Sequence, residues 1–315
     1  GHVVVDVKAA ALNHLDIWIR KGRAGNTLPM PHTLGSDAAG VISEIGEGVD
    51  GWAIGDEVVI NPGLSCDQCD VCLRGEHSEC EGFSIVGMGC LGTFAEKVCV
   101  PAVNLQPKPA HLTWSEAAAL PLAYITAWRM LMNRARLRTG ETVLIHGIGG
   151  GVSLAALQLA GLAGAQCIVT SSSSEKLGRA AEYGAHHGIQ YGRANLAEEI
   201  MAATDGKGVD VIVDTVGAAT WPTNFEVARK GGRIVHCGVT TGPHVEANIS
   251  ALYWKQLNVM GSTMGSREDF RGLLAAVSIS GLHPVLDREY PLSAAREAQA
   301  RMEAGDQFGK IVLTM

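Results

Sequence analysis

The chain has 315 residues, 47% of them apolar and 18% charged, enough for one large globular domain or two ordinary ones. A formal net charge of -7 excludes a general nucleic-acid binder, which needs a basic face. No apolar run approaches the ~18 residues of a membrane span, and residues 1–8 lack the basic start and cleavage site of a signal peptide, so a cytoplasmic location is expected.

In chain order, residues 3–7, 40–45, 57–60 and 94–100 are short valine-bearing stretches between turn residues. They predict strands of an all-β or barrel-like region. The texture changes near Ser115, which is placed to cap a helix running through 116–120. From 142 onward strand and helix alternate. Residues 142–146 read as strand, 152–162 as helix, 166–170 as strand and 175–183 as helix, with further strands at 209–214, 233–237 and 257–261. Such alternation means βαβ units and a parallel sheet. The tail from 267 holds a helix, a proline-marked loop and a last strand at 310–314. No internal repeat is present.

The strand at 142–146 runs into Gly147-Ile148-Gly149-Gly150-Gly151-Val152-Ser153 and then a helix. Glycines there allow a tight turn and close approach of a pyrophosphate to the backbone, and the helix N-terminus turns free N–H groups and a positive dipole end toward it. Strand, glycine loop, helix and downstream βαβ units together make a dinucleotide site. Ser153 stands where a third glycine is usual and is small enough to keep the helix near the sheet. At the end of the next strand an NAD site normally carries an acidic residue for the ribose hydroxyls. This chain has Thr170, Ser171, Ser172, Ser173 and Ser174, followed by Lys176 and Arg179. Hydroxyls bond a 2′-phosphate that a carboxylate would repel, so NADP(H) is favoured over NAD(H). Ser173 or Ser174 also suits a plain helix cap.

Of eight cysteines, four lie in Cys66-x2-Cys69-x2-Cys72-x7-Cys80. Four thiolates on one loop close a tetrahedral zinc site with no position left for water, hence a structural one. The residues between them are largely polar, so metal binding would hold this segment folded. Cys90, Cys99, Cys167 and Cys237 are scattered.

Taken in order, these features resemble the medium-chain dehydrogenase/reductase superfamily. Gly55-Asp56-Glu57-Val58, Gly92-Thr93-Phe94-Ala95-Glu96, Asp214-Thr215-Val216-Gly217, Gly231-Gly232-Arg233-Ile234-Val235 and Phe308-Gly309-Lys310-Ile311-Val312 extend the resemblance over essentially the whole chain. It implies an α/β protein with a GroES-like β domain at 1–122 carrying the zinc lobe near 62–82, and a Rossmann doubly wound parallel sheet at 123–262. Residues 263–315 return to the first domain. The family's usual first strand and loop are missing ahead of Gly1, as in a trimmed chain. A homodimer or homotetramer is implied, with the apolar 257–260 strand available for edge pairing.

In family alcohol dehydrogenases a catalytic zinc is held by a cysteine, a histidine with its adjoining glutamate, and a second cysteine. Those positions correspond here to Asn13, to Ser36 and Asp37, and to about Leu122, and the family's proton-relaying hydroxyl corresponds to Leu15. Asparagine, serine and leucine do not make a zinc site. Without a Lewis acid, hydride transfer needs an acceptor that is already activated: a quinone, an enone or an enoyl thioester. The stretch around Asn13 resembles the quinone oxidoreductase branch, whose members use NADPH and no catalytic zinc.

The resemblance therefore implies a small-molecule reductase with one structural zinc per chain. Asn13 is the first choice as donor to the developing oxyanion, with Tyr124 as a second phenolic donor and Asp37, beside Asp16, as a remnant of the old metal shell. His14 is expected near the cofactor phosphates. Gly147, Gly149, Gly150, Gly151, Val152, Ser171, Ser172 and Lys176 form the cradle. By family analogy 213–217, Tyr191, Gly238, Ser262 and Lys310 complete the cofactor site. Two other readings compete: an alcohol dehydrogenase retaining some metal through Asp37, and a cofactor-binding protein without turnover.

Overall fold

The computed structural model describes residues 1–22, 28, 30–192 and 195–315. The chain divides into two compact units, Gly1–Ile125 with Met264–Met315, and Thr126–Thr263.

The first unit is built on β1 (His2–Ala11), β2 (Asp37–Ile45), β3 (Glu57–Ile60), β4 (Gly63–Leu64), β5 (Ser84–Ile85), β6 (Lys97–Pro101) and β7 (Leu105–Pro107). Its helices are α1 (His14–Arg20), the short α2 (Asp70–Leu73) inside the cysteine segment, α3 (Trp114–Ala119) and α4 (Pro121–Trp128), which runs across the boundary. β1 alternates in its first half, with Val3, Val5 and Val7 buried, because one face packs on the core and the other on solvent. Those valines join Ile42, Val58, Ile60, Val98, Val100 and Leu105 in one cluster. One side of β1 is shared: residues 2–6 pair with β6 and residues 9–11 with the last strand of the chain.

The second unit carries β8 (Thr142–Ile145), β9 (Gln166–Ser171), β10 (His187–Gln190), β11 (Val209–Asp214), β12 (Ala228–His236) and β13 (Asn258–Gly261). Between them run α5 (Gly151–Leu162), α6 (Ser174–Glu182), α7 (Leu196–Ala203), α8 (Trp221–Val227) and α9 (Ile249–Trp254). The six strands are all parallel, in the order β10-β9-β8-β11-β12-β13. This is the doubly wound Rossmann order. The strand sequence reverses between β8 and β11, which is where such sheets bind ligands, outside the carboxyl ends of the strands.

The chain then returns to the first unit through α10 (Arg267–Ser280), β14 (Leu286–Pro291), α11 (Ala295–Ala304) and β15 (Lys310–Thr314). β15 lies against β1 and completes a seven-stranded sheet, antiparallel except for the β14–β15 pair.

The strands expected at 57–60, 209–214 and 310–314 have those bounds in the structure. Two expectations need correction. The cap of α3 is Thr113, whose hydroxyl accepts the Glu116 N–H at 3.3 Å while the Glu116 carboxylate takes the Thr113 N–H at 2.8 Å; Ser115 lies inside the helix, buried. The strand expected at 94–100 begins only at Lys97.

Candidate active site and cofactor cradle

In the first unit, Asn13 ends the extended run after β1 and caps α1. The Asp16 carboxylate reaches back to accept the Asn13 N–H at 2.7 Å and takes the Gly35 N–H at 3.1 Å. Asp16 is fully buried. Burial pushes its carboxyl up to about 7, against the opposing pull of those two N–H groups and of the Lys310 ammonium. Asp37 opens β2, also fully buried, and collects three donors: the Leu122 N–H on Oδ1 at 2.8 Å, and on Oδ2 the Asn13 amide at 2.9 Å and Lys310 Nζ at 3.0 Å. Lys310 Nζ also donates to Asn13 Oδ1 at 2.6 Å and to the Leu12 carbonyl at 2.7 Å.

This network fixes the Asn13 amide. Lysine only donates, so Oδ1 faces it; an ionised carboxylate only accepts, so Nδ2 faces Asp37. One N–H of Nδ2 is used on Asp37, and the other has no partner among the described residues. Asn13 keeps 7% of its surface exposed. Ser36, fully buried, has a hydroxyl without a partner among the described residues. The sequence reading brought Asn13, Ser36, Asp37 and Leu122 together, and the structure places them in one corner. It did not foresee that the charge at this corner comes from Lys310.

Three expected roles change with the geometry. Lys310, assigned to the cofactor, has all three ammonium donors engaged inside the first unit, so none is left over for a phosphate. Asp37, expected as a catalytic remnant of the old metal shell, has three donors on its buried carboxylate and serves as a brace. Tyr124 is buried, and its oxygen accepts the Val285 N–H at 3.2 Å, which ties α4 to the segment ahead of β14. His14 opens α1 and is exposed, its ring 6.3 Å from that of Trp18.

The cysteine lobe closes on itself. Four sulfurs each ~2.3 Å from a central zinc lie about 3.8 Å apart. Sγ separations here are 3.5 Å for Cys69–Cys72 and Cys66–Cys80, 3.8 Å for Cys69–Cys80 and 3.9 Å for Cys66–Cys72. Cys66, Cys69, Cys72 and Cys80 form the one such ligand cluster among the described residues. Backbone N–H groups of Gln68 and Cys69 aim at Cys66 Sγ and hold that thiol down at about 6, toward the thiolate a metal takes. Arg267, the first residue of α10, pairs with Asp67 at 2.7 Å and so anchors the lobe to the returning segment.

In the second unit, β8 ends beneath a loop in which Gly147 and Gly149 take φ of +69° and +116°. These are conformations that glycine adopts without strain. Gly150 is the N-cap of α5 and supplies no side chain to its N–H groups, and Gly151 and Val152 open the helix. The Lys176 side chain lies across Gly149, whose Cβ would fall 2.9 Å from Lys176 Cδ. Ser173 is the N-cap of α6, accepting the Lys176 N–H at 3.2 Å. Ser171 Oγ is buried and accepts the Ser173 N–H at 3.2 Å, whereas Ser172 keeps an exposed side chain and receives Gln190 on its carbonyl at 2.8 Å. Burial raises the Tyr191 phenol, which hydrogen-bonds Thr170 and the Gly147 backbone and so braces the loop. Gly238 packs so closely on the turn after β11 that a Cβ there would meet the Thr215 carbonyl at 2.7 Å. Ser262 donates its N–H to the His236 carbonyl at 2.9 Å and has a buried hydroxyl without a partner among the described residues.

The sequence reading missed a buried polar chain under this cradle. His146 Nδ1 lies 3.0 Å from Thr170 Oγ1, and Nε2 lies 2.9 Å from Asn224 Oδ1. Asn224 Nδ2 donates to Asp214 Oδ2 at 2.6 Å. Its only sequence signal is polar residues inside otherwise apolar runs.

A GroES-like half with a cysteine lobe, a Rossmann half and a C-terminal return to the first half together define one architecture, and comparison with known proteins agrees. The alcohol dehydrogenase GroES-like domain family matches residues 1–110, and the zinc-binding dehydrogenase family matches 151–278. A zinc-type alcohol dehydrogenase-like protein of Schizosaccharomyces pombe is 34% identical over 99% of this chain and 90% of its own. The chain belongs to the medium-chain dehydrogenase/reductase superfamily. Quinone oxidoreductase of Rattus norvegicus is 30% identical over 99% of this chain and 89% of its own. A crystal structure of an NAD-dependent alcohol dehydrogenase superposes with a TM-score of 0.95 at 43% identity, covering 100% of this chain and 92% of the other. Members of this superfamily are NAD(P)-dependent oxidoreductases, and this chain is one of them. No helix among the described residues is long and apolar enough to cross a membrane.

Proposed function

We propose that the protein is an NADPH-preferring reductase of electron-poor small molecules, namely quinones, enones or enoyl thioesters, working without a catalytic metal. The observation that carries this reading is the Asn13–Asp37–Lys310 corner. A catalytic zinc needs thiolate, imidazole or an available carboxylate. Here the positions offer an amide, a hydroxyl and the apolar Leu122, and the one carboxylate already accepts three donors.

In this reading the protein positions the nicotinamide and the acceptor, and the hydride goes to an acceptor whose own carbonyl takes up the negative charge. The second N–H of the Asn13 amide, which has no partner among the described residues and is held in place by Lys310 and Asp37, is the donor to the developing enolate or quinol oxygen. Its placement is fixed before the reaction, so little reorganisation is needed when charge appears. The four cysteines hold a zinc that keeps the lobe folded and takes no part in hydride transfer.

NADPH preference rests on Ser171 and Ser172 at the end of β9, where no carboxylate stands, and on the Lys176 cation over Gly149. The 43% identity to an NAD-dependent alcohol dehydrogenase favours a second reading, an NAD-linked enzyme acting on a small alcohol. Metal content and an acceptor panel separate them. The reductase is expected to carry one zinc per chain and to oxidise NADPH with a quinone, an enone or an enoyl thioester. Two zincs per chain with alcohol oxidation would establish the other, and tight NADPH binding without any turnover would establish a non-catalytic cofactor carrier.

We also read the second unit as self-associating. β13 is an edge strand, and Val259 on it and Ile249, Tyr253 and Trp254 on α9 are 40%, 62%, 64% and 74% exposed. An open edge beside apolar side chains invites pairing with a second copy. Light scattering is expected to find a homodimer or homotetramer that Trp254→Asp weakens.

A further inference from the structure

The Rossmann unit holds a buried histidine that no part of the proposed chemistry uses. His146 follows β8, on one side of the point where the strand order reverses, and Asp214 ends β11 on the other. His146, Thr170, Asn224 and Asp214 are all 0% exposed, so their polar atoms must find their partners inside the protein. Asp214 Oδ2 accepts Asn224 Nδ2 at 2.6 Å and the Thr220 hydroxyl at 2.7 Å, while Oδ1 accepts the N–H groups of Val216 at 2.8 Å and Gly217 at 3.2 Å.

Donor and acceptor roles propagate from that carboxylate. Asp214 only accepts, so Asn224 turns Nδ2 toward it and Oδ1 toward His146. His146 Nε2 must then carry the proton, and the neutral ring accepts at Nδ1 from the Thr170 hydroxyl. Burial holds the imidazolium down and keeps the ring neutral. The His146 carbonyl receives the Ser153 hydroxyl at 3.0 Å from the first turn of α5. The Thr170 carbonyl receives the Ile148 N–H of the glycine loop at 2.8 Å.

We infer that His146 is a positioning residue for the dinucleotide: through Thr170 on one side and Asn224 and Asp214 on the other, it holds the glycine loop and the 214–217 turn in fixed register. The phosphate half and the nicotinamide half of one cofactor are then presented together. This rests on the reading that the second unit binds the dinucleotide across the β8–β11 reversal with its nicotinamide toward 214–217.

The test compares two ligands by fluorescence titration or calorimetry on the full-length protein: NADPH, and adenosine 2′,5′-bisphosphate, which occupies the phosphate half alone. His146→Leu leaves Asn224 Oδ1 without its donor, leaves the Thr170 hydroxyl only Tyr191, and removes the tie between the glycine loop and the 214–217 turn. It is expected to weaken NADPH about tenfold, the order set by one buried polar group left unpaired, while the bisphosphate changes by less than about threefold. His146→Gln offers an amide donor and a carbonyl acceptor in the same order and is expected to recover most of the NADPH affinity. If His146→Leu does not fold, Thr170→Val removes only the hydroxyl and should give a smaller loss of the same pattern. Equal weakening of both ligands, no rescue by glutamine, or unchanged NADPH affinity would overturn the inference. Failure of the unaltered protein to bind either ligand would instead overturn the cofactor reading beneath it.

Discussion

Asn13 carries the catalytic proposal because its neighbours leave its amide one orientation and one N–H without a partner among the described residues. Asn13→Ala is expected to lower kcat with a quinone or enone by about a hundredfold, the scale for removing one oxyanion donor, while the KM for NADPH moves little. Steady-state kinetics with both substrates varied would check this, and equal loss in both parameters would show a folding defect instead. Lys310 makes a different prediction. Lys310→Met leaves the Asp37 carboxylate buried without its cation, which costs about 3–5 kcal/mol when one partner of a buried pair is removed. Urea unfolding should show it, and Asp37→Asn in the same chain should recover part of the loss. Asp16 adds a pH dependence. Its carboxyl is raised to about 7 when folded, against ~4 unfolded. The folded state therefore holds this proton more tightly, so the residue favours folding most below about pH 4 and loses that contribution as pH rises to about 7. Shifted by about three units, it is worth roughly 4 kcal/mol at most. Asp16→Asn should flatten that slope between pH 4.5 and 7.5; parallel curves would mean that Asp16 stays ionised throughout.

At the scale of elements, the cysteine lobe stands apart. It is a turn, the single-turn α2 and a loop, with Cys72 and Cys80 its buried hydrophobic contribution. Cys72→Ser is expected to release zinc and lower the thermal midpoint while NADPH binding persists; loss of NADPH binding with zinc retained would give the lobe a part in the chemistry. This lobe was legible in the sequence because thiol spacing is a local property. So were β8, the glycine loop and α5, where strand, turn and helix follow within a few residues. Other elements were illegible for physical reasons. β10, with the sequence His187-Gly188-Ile189-Gln190, has no strand pattern of its own and is held by pairing with β9. α1 is announced only by the Asn13–Asp16 capping pair. The Lys310–Asp37 contact joins residues 273 positions apart, and no local pattern encodes it. The Thr170–His146–Asn224–Asp214 chain depends likewise on three strand ends meeting.

Across the whole molecule, family membership fixes a nicotinamide-linked oxidoreductase, and in the proposed reading the departures from the family's metal site narrow the acceptor to an electron-poor one. Relatives on both sides of that division, an alcohol dehydrogenase and a quinone oxidoreductase, share the fold. Overall likeness therefore does not decide the chemistry, and the proposal rests instead on Asn13, Ser36, Asp37 and Leu122 at one corner. The measurement that bears on this most directly is the initial rate of NADPH oxidation with an electron-poor acceptor, a quinone or an enone, set against a simple aldehyde under the same conditions. The account predicts turnover of the electron-poor acceptor, unaffected by a chelator that leaves the cysteine zinc in place, and no turnover of the aldehyde. Aldehyde reduction that such a chelator abolishes would contradict it.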